Sequence, residues 1–231
     1  MLLNFSTQQD EPVLVKVGIS AVDMEGAKKN LEAEIPDWNF DKVRKDARQA
    51  WNEYLSKIDV TTNNETDKTI FYTSMYHTAI SPNLFTDVDE RYWGMDQTVH
   101  QGDIDKPIYT TFSLWDTFRA LHPLLSIIEP QMNNDFIYSL LQKHKEGGIF
   151  PMWDLASNYT GTMIGYHAVS LIADAYTKGY ANFDLNEAYK ASLRAAEYDT
   201  TGIVCPALVL PHLMPQAKYY KNCLLYTSPS P

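Results

Sequence analysis

The sequence predicts a mainly α-helical chain, built as a helical bundle or an α/α toroid and preceded by one β-strand. Three observations point there. About seven segments repeat apolar residues at spacings of three and four, the helical period. A single segment, Pro12 to Ser20, alternates apolar and polar residues and is rich in Val and Ile, the period of a strand. The connections between helices are long and aromatic-rich, which favours a toroid, because loops at one end of a helix ring can build a site.

Taken in order, the lone strand at Pro12–Ser20 cannot satisfy its own backbone groups, so it should pair with something outside its neighbourhood. Asp23 to Ile35 reads as a helix capped by Ser20 or Asp23 and ended by Pro36. Asp37 offers the next cap. Trp38, Phe40, Val43, Ala47, Trp51, Tyr54, Leu55 and Ile58 then form one apolar stripe, predicting a helix over 38–58. After the turn Thr61–Asn64, a further helix carries Ile70, Phe71, Met75, Tyr76, Ala79 and Ile80 up to Pro82. Leu84 to Val99 reads as a loop or hairpin, Phe85–Asp89 against Tyr92–Met95 or beyond. Phe112 to Ile128 is expected to be helical with a kink near Pro123. Glu129-Pro130 opens another helix that Gly147-Gly148 stops. Phe150 to Asn158 is expected to be irregular. Helices are expected over Thr162–Lys178 and over Leu185–Glu197, the latter capped by Asp184, before Pro206, Pro211 and Pro215 break the pattern.

The 231 residues suffice for one large domain or two small ones. Hydrophobic residues at 45% and charged residues at 21% describe a globular chain, not a disordered one. A net charge of −10 excludes a nucleic-acid partner, which needs a basic face. No run approaches the ~20 apolar residues of a membrane span. The N-terminus lacks a positive segment followed by a long apolar one, so no signal peptide is expected at this end. Cys205 and Cys223 make no disulfide framework and no zinc spacing, and Cys205 reads as buried and inert. Aromatic residues reach 13%. Aromatics fill cores first, but their faces also stack on sugars, whose hydroxyls need carboxylates and amides.

Three segments could carry chemistry. In Tyr109–Arg119, Ser113 or Thr111 can cap a helix, which puts Trp115 and Asp116 in its first turn. A Trp ring beside a carboxylate suits a sugar: one supplies a stacking face, the other accepts hydroxyl protons. The plainer reading is that Asp116 stabilises the helix start and pairs with Arg119. In Gly147–His167, a loop gathers Trp153, Asp154, Asn158, Tyr159 and Thr160, and His167 falls one turn inside the expected helix. The plainer reading of His167 is a hydrogen-bonded core histidine. In Thr86–Arg91, the carboxylates of Asp87, Asp89 and Glu90 do not match a calcium-loop spacing, and the alternation fits a solvated strand face better. The remaining histidines are scattered, and no HExxH, GxSxG or Ser/His/Asp order emerges.

Three blocks together resemble the glycoside hydrolase family 92 α-mannosidases: Phe71–His77, Tyr109–Arg119, and Gly147–Gly179 with its end Ile172-Ala173-Asp174-Ala175-Tyr176-Thr177-Lys178-Gly179. The likeness runs from about Leu14 to Asn222. It implies that residues 1–20 are the end of an N-terminal β-sandwich and its linker. It implies that 21–222 are the first part of an (α/α)6 catalytic domain, which accounts for the orphan strand. It also implies calcium-dependent, exo-acting, inverting removal of terminal α-linked mannose from N-glycans or mannans. Inversion needs an acid and a base roughly 6.5–9.5 Å apart. In the family these lie in a Glu-Gly-Asn-x-Trp-Gln-Tyr block and an Asn-Asp/Glu-Asp-Cys-Gly-Gln block, and neither occurs here. The expectation is therefore a truncated chain with no catalytic acid or base and no calcium of its own. Its substrate-binding residues would be Trp115 and Asp116 with Arg119 in support, joined by Tyr159, Thr160 and His167. Its partners would be a mannose-containing glycan and the missing sandwich and toroid helices. The parent is expected in the periplasm, on the surface or outside a bacterium. Residues 223–231 resemble no family segment and read as an artefactual or disordered tail. A stand-alone glycan-binding or scaffold module is the alternative. A peptide N-glycanase role is third and disfavoured, since no Cys/His nucleophile set is present.

Overall fold

The computed structural model of the chain describes residues 4–163, 165–197 and 202–204. Cys205, His212, the last prolines and the segment 223–231 lie outside the described residues. The chain is mainly helical, as expected. Helices α1 (Met24–Glu34), α2 (Phe40–Leu55) and α3 (Glu65–Thr78) come first. Short strands follow: β1 (Asn83–Leu84), β2 (Arg91–Trp93), β3 (Val99–Gln101), β4 (Tyr109–Thr110) and β5 (Phe112–Ser113). Then come α4 (Leu114–Thr117), α5 (Leu121–Ile128), α6 (Pro130–Gly147), β6 (Trp153–Leu155), β7 (Asn158–Tyr159), α7 (Ala168–Thr177) and α8 (Leu185–Glu197).

The core sits in the second half. Helix α6 packs against α5, α7 and α8. Phe112, Leu114, Leu125, Phe136, Ile137 and Leu140 fill the space between these elements. Phe136 meets Tyr109, Phe112 and His122 edge-on at centroid distances of 4.8, 5.8 and 5.9 Å, the geometry favoured by ring quadrupoles. The first three helices are tied on differently. Trp51 of α2 packs on Tyr76 of α3 at 4.5 Å, and the Tyr54 and Thr78 hydroxyls share a hydrogen bond. A polar clamp holds α1. Asp87 accepts protons from Ser20 Oγ at 2.6 Å and Asn30 Nδ2 at 2.7 Å, while Asp89 pairs with Lys29 and Arg91, and Arg91 reaches Asp23. Gly26 is where the clamp closes: a Cβ there would lie 2.2 Å from Asp87 Oδ2.

Several expectations need correction. Residues 12–20 are irregular, with no ladder among the described residues, because a strand exists only as a pair. Lys16 instead donates to the carbonyl of Ile35 at 2.8 Å. Asp37 does not cap α2: it accepts from the Asn39 amide, and Asn39 caps Lys42. The hairpin pairs Arg91–Trp93 with Val99–Gln101, so Phe85–Asp89 is no strand. Asp87 is buried, not on a solvated face.

The 112–128 helix breaks at residues 118–120, not at Pro123. Proline in the first turn of α5 removes an amide that has no helical partner there anyway. Residues 150–152 are irregular, as expected, but 153–159 are not. They form β6 and β7, joined through Ala156 and Ser157 at φ 49° and 54°, a two-residue turn of the kind that usually advertises itself with Asn-Gly. Helix α7 starts at Ala168 instead of Thr162, because Gly161, Met163 and Gly165 all hold positive φ. The helix expected up to Pro82 ends at Thr78 and the one expected over 38–58 spans 40–55, while the Gly147-Gly148 stop of α6 and the span and Asp184 cap of α8 agree with the sequence reading.

His122 generates the first prediction. It is 1% exposed, both ring nitrogens are buried without a hydrogen-bond partner among the described residues, and burial lowers its pKa from 6.5 to about 4. The unfolded chain therefore takes up a proton first. Stability from this group is complete above the unfolded value and drains as pH falls toward the folded one, by an amount of order 3 kcal/mol. The melting temperature should fall between pH 6.5 and 4, and His122→Leu should flatten that fall. An equal slope in the variant would show that His122 is not responsible.

A second prediction concerns the outer faces. Val15, Val17, Ile19, Trp38, Phe40 and Ile70 are all more than half exposed. Patches of this kind drive association, so sedimentation should show concentration-dependent self-association. A monomer at all concentrations would contradict this.

Candidate functional site

The site is built on the three-stranded sheet β5–β6–β7, which pairs Phe112 with Asp154, Ser113 with Trp153, and Asp154 with Tyr159. One residue of β6 points inward and sets the rest. Asp154 is fully buried, as is Lys143 of α6, and Lys143 Nζ lies 3.3 Å from Asp154 Oδ2. The Thr110 hydroxyl donates to the same oxygen at 2.8 Å and accepts from the Ala156 amide at 2.7 Å. Lys143 also donates to Ser157 Oγ at 3.2 Å. Burial raises the Asp154 pKa, opposed chiefly by the Lys143 charge and then by the Thr110 hydroxyl. A buried charge needs such partners.

On the outward side of this anchor the chain turns from β5 into α4. Ser113 occupies the cap position, Trp115 and Asp116 lie in the first turn, and Asp116 is exposed, as the sequence predicted. Negative charge is favoured there by the unpaired amides of a helix start. The Trp115 ring is half-buried, and its Nε1 is buried without a hydrogen-bond partner among the described residues. Ser113 Oγ accepts from Trp153 Nε1 at 2.8 Å and donates to Asp116 Oδ2.

The other expected residues are placed as follows. The Arg119 guanidinium lies 5.0 Å from the centroid of Phe118, and the Phe118 ring also stacks on His167 at 4.2 Å and 4°. His167 is the residue before α7, not a residue one turn inside it. Its pKa is lowered by burial and secondarily by Arg119. Gly165 makes room for it: a Cβ there would fall 2.4 Å from His167 Nε2, and its φ of +86° suits glycine alone. Thr160 donates to the Trp153 carbonyl at 2.9 Å and closes the hairpin. Tyr159 lies inside, 3% exposed, opposite Asp154. The structure thus brings together Trp115, Asp116, Ser113 and Trp153, and separately Arg119, Phe118 and His167.

Lys143 and Thr110 escaped the sequence reading as site-shaping residues. Lys143 did leave a signal, since it continues the buried stripe Phe136, Leu140 at helical spacing and a lysine there must find a partner. A bound cation does not fit this chain's described residues. Asp87 and Asp89 are spent on the clamp. Among the described residues no cluster of three or more His, Cys, Asp or Glu could hold a metal. Nor is any described helix long and apolar enough to cross a membrane.

Comparison with known proteins gives a consistent result. The sequence pattern of the glycosyl hydrolase family 92 catalytic domain matches residues 26–222. An uncharacterized secreted glycosidase of Arthroderma benhamiae is 29% identical over 204 residues, covering 85% of this chain and 22% of that protein. The solved structure of a family GH92 α-mannosidase from Bacteroides thetaiotaomicron superposes with a TM-score of 0.72 at 37% identity, covering 77% of this chain and 24% of the other. A family GH92 inverting mannosidase from the same species gives 0.77 at 28% identity, covering 88% and 27%. The chain spans about a quarter of the length of these relatives.

The buried pair yields a prediction. Lys143→Met strands the Asp154 carboxylate and should destabilise the fold by about 3–5 kcal/mol, whereas Lys143→Met combined with Asp154→Asn should recover most of that loss. Urea unfolding midpoints of the single and double variants measure it. A double variant as unstable as the sum of the singles would mean that the two groups do not act as a pair.

Proposed function

Because the chain belongs to glycosyl hydrolase family 92, we propose that it forms part of the catalytic domain of a longer hydrolase that removes terminal α-linked mannose from N-glycans or mannans. In this reading the chain supplies the wall that grips the sugar. The observation that carries it is the Trp115–Asp116 step at the start of α4, with Asp116 exposed. An ionised carboxylate only accepts hydrogen bonds, so Asp116 suits sugar hydroxyls, and the Trp115 face suits the apolar C–H face of the ring. Arg119 holds positive charge next to this step, and His167 stacks on Phe118.

The acid that protonates the leaving oxygen and the base that activates water are assigned to the portion outside this chain, with inversion as the outcome. Two points support this. One relative is described as an inverting mannosidase, and the acid and base blocks of the family do not occur in this sequence. Calcium is assigned to that same portion. Residues 21–222 are read as the first part of an (α/α)6 toroid. Residues 1–20 are read as the end of a preceding β-sandwich, whose covering would account for the exposed Val15, Val17 and Ile19.

The chain alone, with or without calcium, should not turn over an aryl α-mannoside; measurable turnover would overturn the placement of the acid and base. In the longer enzyme, Asp116→Ala should raise KM and cut kcat, lowering kcat/KM by about 10- to 100-fold, the range set by a hydrogen bond to a charged group. Kinetics equal to wild type would return Asp116 to a helix-start role.

A further inference from the structure

We propose that Trp153 and Ser113 are positioning residues that fix how Asp116 presents its carboxylate to a ligand. An indole has one donor and no acceptor, and a serine hydroxyl has one proton. Trp153 Nε1 lies 2.8 Å from Ser113 Oγ, so the indole proton occupies a lone pair of the hydroxyl. The Ser113 proton is then directed onto Asp116 Oδ2. Both bonds have a single allowed direction. Asp116 Oδ2 is thereby held by the protein through a charge-assisted bond, and Oδ1 is left for a ligand. At Oδ1 itself the wall offers an acceptor. It admits a group that gives a proton, such as a sugar hydroxyl, and disfavours an ether or deoxy analogue at the same place.

The relay has a root. Ser113 and Trp153 face each other across β5 and β6, one step from the Phe112–Asp154 pair. Asp154 is locked by Lys143 and Thr110 in the interior. A one-residue slip of β6 would turn Asp154 outward and Trp153 inward, so the buried pair holds the indole at the distance that reaches Ser113. This inference deepens the mannose reading and rests on it for the ligand, but the relay itself can be tested without one.

Two measurements separate them. In this chain, with tryptophan labelled at the indole nitrogen, the Trp153 N–H signal is identified by its loss in Trp153→Phe. It should exchange slowly with solvent, and Ser113→Ala should shift it and speed its exchange. A Trp153 signal indifferent to Ser113→Ala would overturn the relay. In the longer enzyme, Trp153→Phe and Ser113→Ala should each lower kcat/KM for an aryl α-mannoside about tenfold, and the double variant should lose no more than either single one. Ser113→Thr, which keeps the hydroxyl, should stay within about threefold of wild type. Additive losses, or a Ser113→Thr variant as impaired as Ser113→Ala, would overturn the positioning role. A responsive indole signal together with kinetics indifferent to Asp116→Ala would support the relay and sink the mannose reading instead.

Discussion

The Lys143–Asp154 pair is the constraint on which the rest of the site depends. Two opposite charges sit in the interior at 1% and 0% exposure. Removing them from water costs several kcal/mol each, and the Coulomb attraction offsets this only where geometry and further hydrogen bonds are good. Here Thr110 and Ser157 supply those bonds. The net gain in stability is small by this reckoning. What the pair does fix is register: Asp154 can meet Lys143 in only one alignment of β6 against β5. That alignment carries Trp153 to Ser113 and so determines the surroundings of Asp116.

The molecule divides into two styles of cohesion. Between residues 109 and 195 the elements share an apolar core of interleaved Phe, Leu, Ile and Ala side chains, the non-directional burial that dominates folding. Helices α1 to α3 are held by directional contacts instead: the Asp87 and Asp89 clamp, the Trp51–Tyr76 stack and the caps at Asp23, Asn39 and Asn64. Helix α2 buries no residue at all. Its apolar stripe is only partly covered, where Trp51 and Tyr54 meet α3. The clamp nevertheless places α1 against the turn at 87–91 with angular precision that a greasy contact would not impose.

The site is correspondingly rigid on one side. The sheet edge, the cap at Ser113 and the first turn of α4 are tied into the core through Phe112 and Leu114, both fully buried. Arg119, Phe118 and His167 form a second group joined to α7. These two groups meet in α4 and the residues after it, so the Trp115–Asp116 step stands between an ion-pair anchor and a ring stack. A carboxylate used to align a substrate benefits from such fixed surroundings, since little reorganisation remains when the ligand arrives.

What the sequence by itself determined is everything that depends on neighbours a few residues apart. Helical stripes, the Asp184 cap, the stop at Gly148 and the position of Trp115 and Asp116 in a first helical turn all follow from local periodicity and hydrogen bonding. The blocks that mark the family are likewise contiguous. Only the tertiary structure decided what depends on residues brought together from afar. The 12–20 segment has the pattern of a strand but no partner among the described residues, and pairing is not a local property. The β6–β7 hairpin turns on Ala156 and Ser157, whose positive φ values are sustained by the sheet and the buried Ser157 rather than by turn residues. Asp87 has the spacing of a solvated face, yet Ser20 and Asn30, 67 and 57 residues away, draw it inside. Lys143 shows in the sequence as a charge on a buried helical stripe and Asp154 as an ordinary loop carboxylate, but neither names its partner; the energy that makes them a pair arises only when water is excluded from both at once.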